Sequence, residues 1–157
     1  MLSPVSETDA LSPKTPYATS KVVIEELLMA QCRADPGWTV AILRLFKPAS
    51  SHPSRVFCEP NTNIKNSTCI ENLVKVATGM ATDVTLENNG LTAHDCVHVI
   101  DAADGFVSAV CKILNQSFAG FDIINIGSGI ATTDNDLIDT FQDAAGTLIH
   151  HEYTDCI

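Results

Sequence analysis

Apolar positions fall into a few runs separated by stretches with no period. From Pro16 to about Cys32 they recur at helical spacing, with Val23, Ile24, Leu27 and Leu28 on one stripe. Thr15 is a good N-cap, and Pro16 suits the first helical position. Asp35-Pro36-Gly37 reads as a turn. Thr39 to Phe46 is nearly continuous in apolar residues, as expected of a strand buried on both faces of a parallel sheet. A helix, a short turn and a buried strand make half of a βαβ unit. From Lys47 to about Ile70 the period vanishes among prolines, serines and asparagines, which predicts a long loop at the C-terminal end of that strand. Further on, a helix is expected from about Ile70 to Met80, ending near Gly79, and a short strand from Asp83 to Glu87. His94 to Ile100 reads as a strand, followed by a helix capped by Asp101 with Asp104 in its first turn. Phe106, Val107, Val110 and Leu114 are the expected apolar face of that helix. Phe121 to Ile126 is a second buried strand, Thr133 with Asp136 resembles a capping box, and Gly146 stands where the last helix should stop.

Residues 1–16 are rich in serine and proline and read as a loop. The chain has 157 residues, enough for a domain with its own core, and a net charge of −10. That charge argues against nucleic acid and anionic membranes as partners. No apolar run approaches the roughly 18–20 residues of a membrane span, and the polar, acidic N-terminus does not read as a secretory signal. Cysteines stand at 32, 58, 69, 96, 111 and 156 without a CxxC pair, so they are expected to be thiols in a cytoplasmic protein. His150-His151 has no third ligand nearby and reads as surface, with no metal expected. Gly127-Ser128-Gly129 follows a strand but lacks the third glycine of G-x-G-x-x-G, and reads as a structural turn.

Chemistry is concentrated in Tyr17-Ala18-Thr19-Ser20-Lys21. A tyrosine and a lysine four residues apart lie on one helical face. Free tyrosine has a pKa of about 10, and a neighbouring ammonium favours its phenolate. Such a pair can serve as a general acid and base in moving a proton on and off a sugar alcohol.

In order along the chain, Pro16-Tyr17-Ala18-Thr19-Ser20-Lys21 with Glu25-Glu26, Trp38 to Pro48, His52-Pro53-Ser54, His98 to Gly105 and Asn125 to Gly129 resemble the later part of the UDP-glucose 4-epimerase family. That family is a branch of the extended short-chain dehydrogenases/reductases. The resemblance runs from about Glu7 to His150. It implies an α/β fold: a partial Rossmann-like parallel sheet lacking its N-terminal βαβ half, plus a small α/β substrate-binding lobe. Residues 1–46 would carry the catalytic helix and the following Rossmann strand, 47–97 the lobe, and 98–150 the last Rossmann strands and helices. It implies NAD as cofactor and a UDP-hexose as substrate, epimerised by oxidation and re-reduction at C4. Tyr17 would be the acid/base and Lys21 its partner, both also contacting the cofactor; Phe46, Lys47, Asn66 and His94 would bind substrate. His52-Pro53-Ser54 favours epimerase over dehydratase or decarboxylase.

The chain departs from the family in two ways. The glycine-rich half that seats the NAD pyrophosphate lies outside it, so the chain alone is expected to be inactive. At ligand-facing positions Lys47 stands for an asparagine, Ser50 and Arg55 for glycines, and His94 for an arginine suited to phosphate. A degenerate paralogue acting as an interaction protein is therefore the alternative. A homodimer, or pairing with a full-length paralogue, is the expected association.

Overall fold

The structure is a computed structural model that describes residues 5–49, 54 and 69–154. Two compact units emerge, Met1–Pro48 with Val97–Ser128 and Ala49–Cys96 with Gly129–Ile157.

The first unit begins with α1, Pro16–Ala34. Thr15 caps it by accepting the Ala18 N–H at 3.1 Å, with Pro16 opening the first turn. The turn at Asp35 is closed by the Gly37 N–H, which donates to Asp35 Oδ1 at 2.9 Å. Strand β1, Thr39–Leu45, then pairs in parallel with β5, Gly120–Ile126, in a register that sets Thr39 against Gly120 and Leu45 against Ile126. Between them in sequence comes α3, Val99–Leu114. The sequence runs the preceding strand on to Ile100, but in the structure α3 has already begun. Its N-cap is His98, whose Nδ1 accepts the Ile100 N–H at 3.2 Å; Asp101 lies within the first turn.

Packing corrects the expected helix faces. On α1 the covered positions are Ala18, Val22, Glu25, Met29 and Cys32 at three- and four-residue spacing, with Leu28 beside them, while Val23, Ile24 and Leu27 are exposed. On α3 the covered residues are Val99, Ala102, Gly105, Ala109 and Ile113, of which Ala102 and Ala109 are fully buried, and the whole bulky set Phe106, Val107, Val110 and Leu114 faces solvent. The small stripe lets the helix approach closely: a Cβ at Gly105 would lie 3.0 Å from Ile126 Cδ1. The core here is compact, with Val97, Ala102 and Ile126 buried and Leu43 packed on them. Within β1 only Ile42 is fully buried, so the strand is not covered on both faces as its composition suggests.

The second unit holds α2 (Cys69–Ala77), β3 (Val84–Glu87), β6 (Ala131–Thr133), α4 (Asp134–Ala145) and β7 (His151–Thr154), together with most of β4 (Ala93–His98). Leu73, Val84, Leu86, Ile138 and Ile149 form its core. The parallel pairing of β3 with β7 closes one side of that core, and β7 has no periodic signal in the sequence. Strand β4 runs antiparallel to β6, with His94 opposite Thr132, and has β2 (Lys47–Ala49) as its other neighbour. Helix α4 carries the complete capping box expected of Thr133 and Asp136 and stops at Gly146, left-handed at φ 62°. Among the described residues no helix is long and apolar enough to cross a membrane.

Candidate active site

Tyr17 is the second residue of α1 and lies on its exposed side, 71% accessible. Lys21 follows one turn later, its Nζ 5.1 Å from the centre of the tyrosine ring. The ammonium therefore sits over the π-face, where the ring quadrupole attracts it. The first turn is fixed by its own hydroxyls. Thr19 Oγ1 donates to the Thr15 carbonyl at 3.0 Å and Ser20 Oγ to the Tyr17 carbonyl at 2.7 Å. An open groove of about 710 Å³ at the start of α1, with Pro13, Pro16, Val23 and Ile24 among its walls, is lined by neither Tyr17 nor Lys21.

Besides its packed face, α1 is tied to β1 by an ion pair. Arg44 of β1 donates through Nε and Nη2 to the Glu25 carboxylate, at 3.0 and 2.7 Å, with both side chains mostly buried. This bidentate pair keeps the Arg44 guanidinium firmly charged, chiefly through the hydrogen bond to Glu25. Its third branch, Nη1, donates to the Glu7 carbonyl at 3.0 Å. Glu7 in turn accepts the Asn125 N–H at 2.8 Å, while Asn125 Nδ2 donates to the Val5 carbonyl at 3.0 Å. The backbone bond from Asn125 holds the Glu7 carboxyl below its ordinary value. Helix, strand and leading segment are thus tied at one guanidinium, two turns of helix beyond Tyr17. Sequence reasoning did not single out this trio as functional. The available signal was Arg44 itself, a lone charge in an apolar run, which must find a partner.

The other candidates are placed separately. Phe46, half-buried, ends β1's pairing by donating its N–H to the Ile126 carbonyl at 2.9 Å. Lys47 opens β2. His94 lies in β4 of the second unit, its Nε2 3.8 Å from Asp134 Oδ1. Asn66 lies outside the described residues, as do His52 and Pro53. Gly127-Ser128-Gly129 offers no phosphate cradle: the Gly129 N–H is engaged by Asp95 Oδ2 at 2.9 Å, and a carboxylate there repels an anion. Among the described residues no cluster of histidine, cysteine and carboxylate groups could hold a metal.

A tyrosine with a lysine one turn on stands at the head of the helix that precedes a parallel strand. A profile of the NAD dependent epimerase/dehydratase family matches residues 2–127. The chain belongs to that family. It is 32% identical over 153 residues to UDP-glucose 4-epimerase 2 of Oryza sativa subsp. japonica, which covers 94% of the chain and 37% of that relative. It is 30% identical over 159 residues to UDP-glucose 4-epimerase of Bacillus subtilis, covering 98% of the chain and 46% of the relative. Among solved structures, UDP-glucose-4-epimerase of Stenotrophomonas maltophila with bound NAD and formylated UDP-arabinopyranose superposes with a TM-score of 0.90 at 25% identity, covering 98% of the chain and 47% of that structure. The Bifidobacterium longum UDP-glucose 4-epimerase in complex with NAD+ and UDP gives 0.81 at 30% identity, with 97% and 46% covered. The chain thus spans less than half the length of these relatives, and the fold is a partial Rossmann-like α/β arrangement.

Proposed function

We propose that this chain is the catalytic-helix and substrate-lobe part of an NAD-dependent UDP-glucose/UDP-galactose 4-epimerase. The observation that carries the reading is the Tyr17–Lys21 pair at the head of α1, with Nζ 5.1 Å from the ring. When bound, NAD would supply the hydride acceptor and donor for C4 of the hexose. Tyr17 takes the proton of the C4 hydroxyl as the carbon is oxidised and gives it back on reduction. Lys21 keeps a positive charge against the phenol as that proton moves, and both residues would hold the ribose end of the cofactor. Phe46, Lys47, Asn66 and His94 contribute to holding the UDP-sugar. The glycine turn Gly127-Ser128-Gly129 does not seat the cofactor's pyrophosphate, because Asp95 engages the Gly129 N–H.

Two assays test the reading. The purified chain is expected neither to retain NAD nor to interconvert UDP-galactose and UDP-glucose. A chimera in which it replaces the matching part of the Bacillus subtilis enzyme is expected to do both, and Tyr17→Phe is expected to abolish turnover in that chimera while leaving NAD bound. A folded, NAD-loaded chimera without turnover would overturn the assignment.

The second reading, a non-catalytic paralogue that associates with an intact epimerase or with itself, rests on the changed residues at Lys47 and His94 and on the exposed apolar faces of α1 and α3. Co-purification with a complete epimerase at micromolar concentration supports it; separate elution counts against it.

A further inference from the structure

The start of β4 and the start of α4 bring together two groups that no step above uses as a pair. Asp134 is 8% exposed, and its Oδ1 is buried without a hydrogen-bond partner. It opens α4, where the aligned peptide N–H groups tolerate a negative charge, and its own N–H donates to the Thr92 carbonyl at 3.1 Å. Neither contact satisfies Oδ1. The group facing it is the His94 imidazole, Nε2 at 3.8 Å. That separation is too long for a hydrogen bond but well inside the range of charge–charge attraction. Among the described residues no other cationic side chain comes within ion-pair distance of Asp134. Two further carboxylates lie close in sequence on the same elements. Asp95, the next residue of β4, is engaged with the Gly129 N–H, and Asp136, in the first turn of α4, is engaged with Thr133.

We propose that Asp134 sets the ligand chemistry at His94. Its buried carboxylate repels an anion that approaches the imidazole, so this position contacts an uncharged, hydroxyl-bearing part of a UDP-sugar and not its diphosphate. The proposal rests on the reading of His94 as a substrate-binding residue. A phosphate arriving at the imidazole edge meets Asp134 only a few ångströms further in, and repulsion by the carboxylate cancels most of the attraction by an imidazolium. A permanently charged side chain at 94 would be captured by Asp134 in the same way.

The test is a double-mutant cycle on the whole chain with pyrophosphate as probe, read by calorimetry. Wild type and His94→Arg are expected to bind pyrophosphate weakly, and His94→Arg with Asp134→Asn about tenfold or more tighter than His94→Arg alone. Asp134→Ser replaces Asp134→Asn if the amide prevents folding. Equal affinity of His94→Arg with and without the Asp134 change overturns the proposal, and so does absence of pyrophosphate binding in every variant. In parallel, wild type is expected to bind UDP no more than about threefold tighter than uridine, since the diphosphate gains nothing here. Failure of every variant to bind either nucleoside sinks the substrate-binding reading of His94, while the pyrophosphate cycle still decides whether Asp134 controls the charge.

Discussion

Arg44 does three jobs with one guanidinium, and the two carboxyl-bearing residues it touches differ in their surroundings. Glu25 is mostly buried, so removing its partner leaves a charge with nothing to offset its desolvation. Arg44→Ala is expected to destabilise the first unit by about 2–4 kcal/mol in urea unfolding. Arg44→Lys should recover only part of the loss, because an ammonium cannot form the two-pronged bond. Glu7 is exposed, and its role shows in pH dependence. Its carboxyl lies below the ordinary value of 4.5 in the folded chain, so it contributes stability above that pH. The contribution is lost as pH falls below 4.5 and through the folded value. Asp136 behaves likewise below its ordinary 3.8, held down chiefly by the Thr133 hydroxyl. Glu7→Gln keeps an acceptor for Asn125 but not the charge. Its urea midpoint should therefore fall less steeply than wild type as pH drops below 4.5. An equally steep fall would assign the acid sensitivity elsewhere. Of these residues the sequence announced Tyr17 and Lys21, whose four-residue spacing is local. It was silent on Glu7 with Asn125 and on His94 with Asp134, whose partners are brought together only by folding.

Elements whose signals are local proved the most legible. The caps at Thr15, Thr133 and Gly146 are each made within one turn of chain, and the structure shows all three. Thr133→Ala is expected to cost about 1–2 kcal/mol by leaving the Asp136 N–H without its cap, whereas Ile138→Ala, at a fully buried site of the same helix, should cost about 2–5 kcal/mol. Chemical denaturation of the two variants side by side would check that order. Helix faces were less legible, because periodicity shows that a stripe is apolar and not what covers it. On α3 the covering contact goes to the small stripe of Ala102, Gly105 and Ala109, since close approach to Ile126 gains more from fit than from bulk. Helix α3 also began three residues earlier than its acidic residues suggested, because an imidazole nitrogen can accept an N–H as a cap carboxylate does. Strand β7 was missed: its residues lack alternation, and its place is set by pairing with β3.

For the whole molecule, two facts pull in opposite directions. A net charge of −10 favours solubility, while Val23, Ile24 and Leu27 on α1 and Phe106, Val107, Val110 and Leu114 on α3 expose apolar surface. The chain is expected to self-associate at micromolar concentration in sedimentation. Leu27→Glu combined with Val110→Glu should lower the sedimenting mass without lowering the denaturation midpoint, because both side chains already face solvent. An unchanged mass would mean that association, if seen, uses another surface.

The strap formed by Val5 and Glu7 also gives the β1–β5 pair a direction. The peptide groups of Ile126 face β1, as its bond to Phe46 shows, so those of Asn125 face outward, and there Glu7 has taken the N–H. Among the described residues β1 has no second neighbour on its own outer side. By contrast, the strap caps the β5 rim at Asn125, near its C-terminal end. A second copy that added at the β1 rim would meet on the far side a strand end already capped, which works against growth strand by strand.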